Sequence, residues 1–577
     1  MRFRFGLSPG HCAAAIVLAA GLPANSAAAP VNRILRPLNG AQTRTVRGNV
    51  HPLARPQFDR GLVAPGTPMK HVMLLFKPSA AQQSDLDQLL ADQQNPASPR
   101  FHQWLTPEQF GDRFGLSASD NSRIVAWLQS EGLTVNQTAR GRNWLAFSGS
   151  AAQVSRALRT SIHRYEVNGE THIANATDPS LPEALADVVA GFAGLNDFHL
   201  KPATTKFTPI PAAPDYTRGT SHYLVPEDFA TIYDLAPLYQ TGFDGSGQSI
   251  AVVGASDILL SDIRSFRARY HFPANDPQLI PYGDDPGFND AQVEGNLDLE
   301  WAGAIAPNAT IYYVYGPDPI EAFIAAVDLD AAPVISISYG NCEIEFPALF
   351  FRTVAQQGNA EGITTIAASG DSGAAGCDTQ GFDPFASKGR AATFPANLPE
   401  VTGVGGTQFN DATGNYWAPT NTVNFGSALS YIPESAWNET APGFGLGASG
   451  GGASVLLNKP EWQAGPGVPD DNARDIPDVA MAAAVHDAYF ITYRGAQGAV
   501  GGTSAGAPSL AGIVALLNQY EVQKGFQSKP GLGNINPQLY RLARSAPSAF
   551  HDVISGNNIV PCAQGTPDCL DYSYGYS

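Results

Sequence analysis

From about residue 223 onward, the chain alternates long apolar runs with segments of helical length. SIAVVGAS, ATIYYVYG, PVISISYG and GITTIAASGDSG are such runs, and nearly every position in them is apolar or β-branched. Strands of this kind are buried on both faces, as in parallel sheets that carry helices on each side. The alternation therefore predicts an α/β doubly wound parallel sheet. Active sites in such sheets lie at the carboxyl ends of the strands, where SYGNC and SGDSG fall.

A second pattern occupies residues 30–200. HVMLLFKP and NWLAFSGS predict strands, QQSDLDQLLADQQ and TPEQFGDRFG predict helices, and a hairpin is predicted to turn at Asn168-Gly169. This mixture predicts a small α+β domain. Residues 201–220, KPATTKFTPIPAAPDYTRGT, are rich in Pro and Thr and have no periodicity. They predict a linker to a large domain over residues 221–577.

The first 29 residues have the layout of a secretory signal peptide. Arg2 and Arg4 precede the apolar run from Ala13 to Leu22, and the small residues of ANSAAAP follow it. A membrane anchor is the alternative, but the run is roughly half of the about 20 apolar residues that span a bilayer. We therefore expect cleavage near Ser26 to Ala29, and a protein that is extracellular or periplasmic and has no membrane partner.

The cysteines agree with export. The chain has five, and Cys12 lies in the predicted signal peptide. An even number remains, which in an exported chain favours two disulfides. Metal binding is the alternative, but the sequence has no CxxC pair to support it. The pairs close in sequence are Cys342–Cys377 and Cys562–Cys569.

Charge divides the chain into two unlike parts. The net charge is −18; residues 1–215 carry 20 Lys and Arg against 15 Asp and Glu, and residues 216–577 carry 14 against 37. An acidic body argues against nucleic acid as a partner, because nucleic acid needs a basic surface. We expect the basic front segment to dock on the acidic body at neutral pH, and acid to weaken that attraction.

Ser504 is a candidate nucleophile because it stands in the motif GTSAG at the start of an apolar helix. The alternative is that Ser504 has only a structural role, as a small residue packed closely at the start of a helix. An α/β-hydrolase esterase would need an acid and then a histidine after the serine, and His551 alone follows it. A subtilisin-like histidine would precede a glycine, and none of the four histidines after residue 220 does so. The general base must therefore be another kind of residue.

Carboxylates supply the candidate base. Glu294 and Asp298 are spaced i, i+4 in DAQVEGNLDLEWAGAIAPNA, so a helix would project both from one face. Two carboxylates so close tend to share one proton, and such a pair can take a proton from Ser504. A solvated acidic helix face is the alternative. Asp371 in AASGDSGAAG is a candidate oxyanion donor when protonated, beside the backbone N–H of Ser504; an ordinary turn is its alternative.

Together these residues resemble the sedolisins, the serine-carboxyl peptidases, and the bacterial pepstatin-insensitive carboxyl proteinases most. NPASPRFHQWLTPEQFGDRFG, HYLVPEDFATIYDL, ATFPANLPEVTGVGGT and SGGGASVLLNKPEWQ also look like the family's sequences. The resemblance implies a subtilisin-like doubly wound sheet, preceded by a ferredoxin-like α+β activation prodomain over residues 30–200. It implies Glu294 as base, Asp298 as its partner, Ser504 as nucleophile and Asp371 as the oxyanion residue.

The resemblance also implies one structural calcium ion. The family's site takes an aspartate and the next carbonyl, here Asp552 and Val553, and then a later Gly-x-Gly-x-Asp segment that does not occur before Ser577. Asp571 is a poor substitute by its context. Calcium prefers six to eight oxygen ligands, so we expect an incomplete site, weak calcium binding and a longer natural chain.

The predicted function is that of a secreted, monomeric serine-type endopeptidase that cleaves proteins or peptides at acidic pH. A carboxylate base titrates near 4, which matches it to acid. Its own prodomain would inhibit it until acid triggers self-cleavage between about Lys201 and His222. The alternatives are a tripeptidyl-peptidase, an esterase that uses His551, and a secreted binding protein without catalysis.

Overall fold

The computed structural model describes residues 30–577 apart from residues 39, 41, 168, 203–206, 210–216, 219–220, 345–347, 379–383, 442–444, 570–572 and 575–577. The predicted signal peptide, most of the predicted linker and Asp571 therefore lie outside the described residues. Within the described ranges, no helix combines the length and the apolar character needed to cross a bilayer.

The prodomain is built on an antiparallel sheet whose strands run, in order across the sheet, Thr134–Thr138, Trp144–Ser150, Pro68–Phe76 and Val189–Ala193. Its helices are α1 (Ala80–Gln94), α2 (Pro107–Phe114), α3 (Ala118–Ser130) and α4 (Ala151–Leu158). The strand order and the helices between the strands make the predicted ferredoxin-like arrangement. A second sheet pairs Asp59–Leu62, Ile162–Val167 and Glu170–Asn175.

Local sequence explains where α2 begins. Thr106 Oγ1 accepts a hydrogen bond from the Gln109 N–H at 3.2 Å, and Gln109 Oε1 accepts one from the Thr106 N–H at 2.9 Å. This reciprocal capping box satisfies backbone groups that the first turn leaves unpaired. The TPEQ stretch therefore starts a helix, as the sequence predicts.

The large domain is built on a parallel sheet, in which the described residues form eight strands. In order across the sheet they are Gln278–Pro281, Thr310–Tyr315, Ser249–Gly254, Val334–Ile337, Thr364–Ala368, Val401–Phe409 and the antiparallel Glu434–Ala436, with Val479–Ala482 also pairing with Val401–Phe409. The order of the strands is not their order along the chain, so helices cross over between them.

The helices of the large domain cover both faces of this sheet. They are α5 (Pro226–Ile232), α6 (Ala236–Gln240), α7 (Leu260–Arg269), α8 (Gln292–Ile305), α9 (Pro319–Asp328), α10 (Ala348–Glu361), α11 (Thr503–Gln523) and α12 (Asn536–Ser545). Ile250 and Val252 belong to the core that contains α8 and α11, whereas Ala251 and Val253 belong to the core of α9 and α10. Burial of both faces explains the continuous apolar runs and confirms the doubly wound fold.

Short strands complete the described structure. They are Thr43–Thr45, Ser180–Pro182, Lys201–Pro202, Thr208–Pro209, Thr217–Arg218, Ser221–His222, Tyr339–Cys342, Thr393–Phe394, Gly452–Asn458, Ala473–Ile476, Tyr489–Tyr493, Ala496–Val500, Val560–Pro561 and Ser573–Tyr574. One prediction needs correction here, because PVISISYG is not a single strand. The parallel strand ends at Ile337, and Tyr339–Cys342 pairs antiparallel with Thr393–Phe394 instead. The chain leaves the sheet at Ser338, at the edge where its carboxyl ends meet.

Both predicted disulfides, Cys342–Cys377 and Cys562–Cys569, are present. Cys342 ends the strand that follows Ser338, and Cys377 lies in the loop that follows Asp371. The first disulfide therefore joins two segments that leave neighbouring parallel strands at the same edge of the sheet.

The prodomain sheet packs against the face of the large domain that carries α9 and α10. Leu74 and Leu145 point into the prodomain's own core, whereas their strand neighbours Met73, Leu75 and Trp144 belong to the core that contains α9. Alternate residues of a strand face opposite sides of a sheet. The apolar runs of these prodomain strands are continuous because each side is covered by a different domain.

Trp104 anchors the edge of this contact. It is 7% exposed and packs on the backbone of the large domain, where a Cβ added at Gly362 would stand 2.6 Å from Trp104 Cγ. A Cβ at Gly531 would stand 3.1 Å from its Nε1. Gly362 has φ of +90°, so glycine serves here both the backbone turn and the approach of the indole.

Basic groups of the prodomain meet acidic groups of the large domain. Arg140 donates from Nη1 to the carbonyl oxygens of Asp328 and Leu329 at 3.1 and 3.0 Å, and its backbone N–H donates to Asp328 Oδ1 at 2.7 Å. The same complementarity pairs Lys70 Nζ with Asp284 at 3.0 Å. These contacts are of the kind that the opposite charges of the two parts predict.

Candidate active site

The predicted carboxylate pair lies on α8, which is buried on nearly every side. Glu294 and Asp298 stand one turn apart and are both 0% exposed. Helix α8 packs beside α11 on the same face of the sheet, so the face that carries the pair is turned into the protein. The alternative of a solvated acidic helix face is therefore wrong. A buried carboxyl group must be hydrogen-bonded or protonated. Its pKa is then shifted, and carboxyl groups with shifted pKa values are frequent in active sites.

Asp298 has a hydroxyl partner. Ser338 Oγ donates to Asp298 Oδ1 at 2.7 Å, and Ser338 is itself fully buried. Burial raises the pKa of Asp298 well above its usual range, while the hydrogen bond from Ser338 acts in the opposite direction. Asp298 therefore retains a proton to a higher pH than an exposed aspartate does.

Two buried tyrosines lie beside the pair. Burial first, and then neighbouring charges that include Glu294 and Asp298, raise the pKa of Tyr313 and of Tyr339 well above the usual value. The Tyr313 hydroxyl donates to the Ser256 carbonyl oxygen at 2.8 Å. Both phenols therefore stay neutral over the whole range in which carboxyl groups titrate.

A glycine on α8 makes room for one of these rings. A Cβ added at Gly295 would stand 2.6 Å from Tyr313 Oη, closer than two such atoms can approach. The glycine inside VEGNLD thus has a packing role, and it explains why a residue that weakens helices occurs in the middle of α8.

Ser504 is the second residue of α11 and is 0% exposed. The preceding Gly502 has φ of +123°, a conformation that glycine adopts and other residues rarely do. Ser504 Oγ donates to the carbonyl oxygen of Ser338 at 3.4 Å, and Ser338 Oγ lies 3.4 Å from the carbonyl oxygen of Ser504. Ser338 therefore links the carboxylate helix to the candidate nucleophile.

Asp371 reaches the same place from the next strand. It lies in the loop after Thr364–Ala368 and is 3% exposed. Its Oδ1 accepts hydrogen bonds from the Thr503 N–H and the Thr503 hydroxyl, each at 2.8 Å. The Gly370 N–H in turn donates to Thr503 Oγ1 at 3.0 Å. Thr503, which directly precedes Ser504 in the chain, thus holds Asp371 next to Ser504.

The linker passes the site on both sides. Lys201–Pro202 pairs antiparallel with Tyr339–Cys342, and Thr208–Pro209 pairs antiparallel with Ala496–Val500. The first of these partner strands follows Ser338 directly, and the second leads into the motif GTSAG. The chain between the prodomain and the large domain therefore approaches and leaves next to the candidate nucleophile.

The other candidate histidine lies elsewhere. His551, which an esterase would need, is exposed, and its ring stacks on Tyr431 with ring centroids 3.5 Å apart. Neither residue belongs to the hydrogen-bonded group around Ser338.

Comparisons with known proteins agree with this geometry. Residues 58–198 match the family described as the pro-kumamolisin activation domain. Over 511 residues the chain is 28% identical to sedolisin from Pseudomonas sp. (strain 101), an alignment that covers 85% of this chain and 81% of that protein. The chain is homologous to the sedolisins over most of its length.

Further comparisons extend the family relation to a solved structure. Pseudomonas sedolisin, a serine-carboxyl proteinase complexed with two molecules of pseudo-iodotyrostatin, matches with a TM-score of 0.50 at 26% identity, over 62% of this chain and 95% of that one. Human tripeptidyl-peptidase 1 is 26% identical over 82% of this chain and 83% of its own length. This similarity shows a serine-carboxyl peptidase with a subtilisin-like fold and an N-terminal activation domain.

Sequence reasoning missed two residues of this sedolisin site. Ser338 and Thr503 connect the predicted residues to one another, yet neither was singled out. A signal for Ser338 exists, because a polar residue at the carboxyl end of an apolar parallel strand is where such sheets place functional groups. Thr503 gives no comparable signal, since its partner Asp371 is distant in sequence.

The predicted calcium ligands do not form a site on their own. Asp552 and Val553 are both exposed. In the part of the chain that the structure describes, no three His, Cys, Asp or Glu side chains come together as metal ligands do. One carboxylate and one carbonyl are far from the six to eight oxygens that calcium takes. Calcium binding stays a prediction, and no step of the chemistry below uses it.

Proposed function

We propose that the protein is a secreted endopeptidase that works at acidic pH through an acyl-enzyme on Ser504. The observation that carries this proposal is the buried connection from Asp298 through Ser338 to Ser504. A serine that is linked in this way to a buried carboxyl group, with Glu294 buried one turn away on the same helix and no histidine among the described residues of this group, has an acid for its base.

In the proposed reaction, Glu294 takes the proton of the Ser504 hydroxyl while Oγ attacks the carbonyl carbon of the substrate. The C–N bond then breaks, and the proton passes from Glu294 to the departing amine. Water repeats the sequence on the ester that remains, so that serine and acid are both regenerated. Asp298 shares a proton with Glu294 and orients it.

Asp371 is proposed as a donor to the oxyanion, together with the Ser504 N–H. Its Oδ1 accepts from both Thr503 donors, so a proton on the carboxyl group would reside on Oδ2 and be available to a substrate oxygen. An ionised Asp371 would instead repel the oxyanion. Both the base and the oxyanion donor therefore favour an acidic medium.

Self-processing is supported by the course of the linker. The strands Lys201–Pro202 and Thr208–Pro209 pair with segments on either side of the candidate site, which supports cleavage of the linker within the same molecule. This position falls in the range from Lys201 to His222 that the sequence predicts. Cleavage there would free the prodomain.

Export is proposed from the layout of the first 29 residues and from the two disulfides, which persist in oxidising compartments. A tripeptidyl-peptidase is the second candidate, because human tripeptidyl-peptidase 1 is among the relatives.

The test is digestion of casein and of a peptide library by the purified protein between about pH 3 and 8, with Ser504→Ala as the control. We expect cleavage below about pH 5 that is absent in Ser504→Ala, and internal cuts in peptides with blocked N-termini. Equal activity in both proteins would contradict the proposal, and removal of tripeptides alone would favour the second candidate.

A further inference from the structure

Ser338 occupies a junction that the proposed chemistry does not yet use. It is the first residue after the strand Val334–Ile337 and precedes Tyr339–Cys342, which pairs with the linker. Its side chain is 0% exposed. A hydroxyl in such a position is costly to bury unless each of its contacts is useful to the fold or to the reaction.

The contacts of Ser338 divide between the base and the nucleophile. Its Oγ lies 2.7 Å from Asp298 Oδ1 and 3.4 Å from the carbonyl oxygen of Ser504, and its own carbonyl oxygen lies 3.4 Å from Ser504 Oγ. The first contact is the short one. A hydroxyl has a single proton, so the proton of Ser338 goes to Asp298.

Among the described residues, no cation compensates the charge of Asp298. The groups that face Asp298 are Glu294 on the same helix, Tyr313 on a neighbouring strand and Tyr339 beyond Ser338. Both phenols stay neutral, and Glu294 is itself acidic. Ser338 is the donor that the described structure gives Asp298, and a donated hydrogen bond stabilises the ionised form of a carboxyl group.

We propose that Ser338 is a positioning residue for the Glu294–Asp298 pair: its hydroxyl fixes the Asp298 carboxyl by Oδ1 and leaves Oδ2 for the proton shared with Glu294. The inference rests on the proposed function of Ser504. With Oδ1 so held, the pair can lose one of its two protons in acid and thus retain a base. Without the hydroxyl, Asp298 would lose this donor, the buried pair would hold both protons to a higher pH, and Glu294 could not take the proton of Ser504.

The test is the pH profile of kcat/KM for Ser338→Ala on a peptide substrate, after maturation with added wild-type enzyme that is then removed. We expect the acid limb of the profile, the part in which kcat/KM rises with pH, to shift to higher pH by about one to two units. This is the amount that one hydrogen bond to a charged group accounts for. At pH values below the shifted limb, activity should fall about tenfold to a hundredfold.

The preceding strand offers a matched control. Ser336 is also fully buried, and its Oγ has no hydrogen-bond partner among the described residues. Ser336→Ala removes the same atom, and its acid limb should coincide with that of the wild type. Ser338→Thr, which keeps the hydroxyl, should restore the position of the limb.

A double-mutant cycle separates positioning from packing. If Ser338 acts through Asp298, then Ser338→Ala should have no further effect on turnover in the Asp298→Asn background. If Ser338→Ala does not fold, Ser338→Cys, which donates only weakly, takes its place with a smaller shift in the same direction. An unchanged acid limb in the folded variant, or fully additive effects in the cycle, would overturn the inference. Neither result touches the proposed function, which fails separately if Ser504→Ala stays active.

Discussion

Helices α8 and α9 lie on opposite faces of one sheet, and each presents buried acidic side chains to a different kind of neighbour. On α8, Asp298 accepts from a neutral hydroxyl of the same domain. At the end of α9, Asp328 accepts from backbone N–H groups of the prodomain, with the Arg140 guanidinium on the carbonyl oxygen beside it. The buried carboxyl group on α8 thus retains a proton, and the buried carboxyl group on α9 binds a separate, basic domain.

The difference teaches that the partner of a buried carboxylate decides its use. Burial raises the pKa of Asp298 and of Asp328 alike. Hydroxyl neighbours add no charge, so the α8 pair remains responsive to pH. Cationic and N–H neighbours compensate the charge on α9, and they are lost when the prodomain leaves. Substitutions at the α8 face should therefore lower turnover, whereas substitutions at the α9 face should weaken binding of the prodomain.

The largest effect is expected from Glu294→Gln, because removal of a general base costs about 10²-fold to 10⁴-fold in turnover. Inhibition by added prodomain should remain unchanged in this variant. The measurement is kcat for a peptide substrate at about pH 4, after maturation in trans.

Glu300 on the same helix supplies the control for that experiment. It is fully buried, but its Oε2 accepts from the Thr492 N–H at 2.9 Å, away from the pair. Glu300→Gln should lower stability and leave turnover within about threefold. Comparable loss of turnover in both variants would mean that burial of acids in α8, and not their position, matters.

A smaller effect is expected at the docking face from Trp104→Ala. Buried aromatic anchors of an interface typically contribute about 2 kcal/mol or more, so the variant prodomain should inhibit the mature enzyme about 30-fold less tightly. The mature enzyme itself should be unaffected. The measurement is the inhibition constant of wild-type and variant prodomain added in trans.

Leu62 is a suitable control for this comparison, since it is an apolar prodomain residue that is 69% exposed. Leu62→Ala should inhibit like the wild-type prodomain. A Trp104→Ala prodomain that remains folded and inhibits with full strength would show that the ionic contacts, and not the indole, hold the domains together.

Much of this organisation follows from local sequence rules. The i, i+4 spacing predicts that Glu294 and Asp298 share a helix face, and the rule for parallel strands predicts Asp371 at the active edge. Both rules need only short stretches of chain. A small α+β domain at residues 30–200 is predicted in the same way, although its strands Thr134–Thr138 and Val189–Ala193 are not.

What the sequence does not reveal depends on register between distant segments. Ser338 leaves the sheet and contacts Asp298 because of the way α8 and the strand Val334–Ile337 are placed in the fold. PVISISYG therefore reads as one strand until the fold is known. The Thr503 contact with Asp371 likewise joins residues 132 positions apart. Periodicity carries no information about such pairs.

A stability effect of intermediate size is expected from Asp487 in the large domain. Burial raises its pKa to about 7, although the Phe409 N–H donates to it at 2.9 Å. A folded-state pKa above the unfolded value means that the stabilising contribution is full below about pH 4 and is lost as pH rises through about 7. Asp487→Asn should flatten this dependence by on the order of 1–2 kcal/mol.

The measurement is the free energy of urea unfolding at about pH 4 and pH 7, in the Ser504→Ala background to prevent self-digestion. Asp290→Asn, at an exposed position, should leave the dependence as it is. An unchanged slope for Asp487→Asn would mean that the acid stability of the domain has another origin.

The smallest effect is expected from calcium. Asp552 contributes a single exposed carboxylate, so about 1 mM calcium should raise the melting temperature of the Ser504→Ala protein by less than about 2 °C over a chelator control. A rise of ten degrees or so would show that further oxygen ligands complete the site.

The two-sided prodomain sheet makes maturation run in one direction. While the chain is intact, Met73, Leu75 and Trp144 are buried against the core of α9. Once the linker is cut and the domain drifts away, that side of the sheet is an apolar patch in water, which favours unfolding or aggregation. A prodomain that unfolds would become a substrate of the enzyme that it inhibited. Each prodomain that is digested removes a competitor for the next one, so a population of zymogens would switch on autocatalytically, with a lag and then a rapid rise.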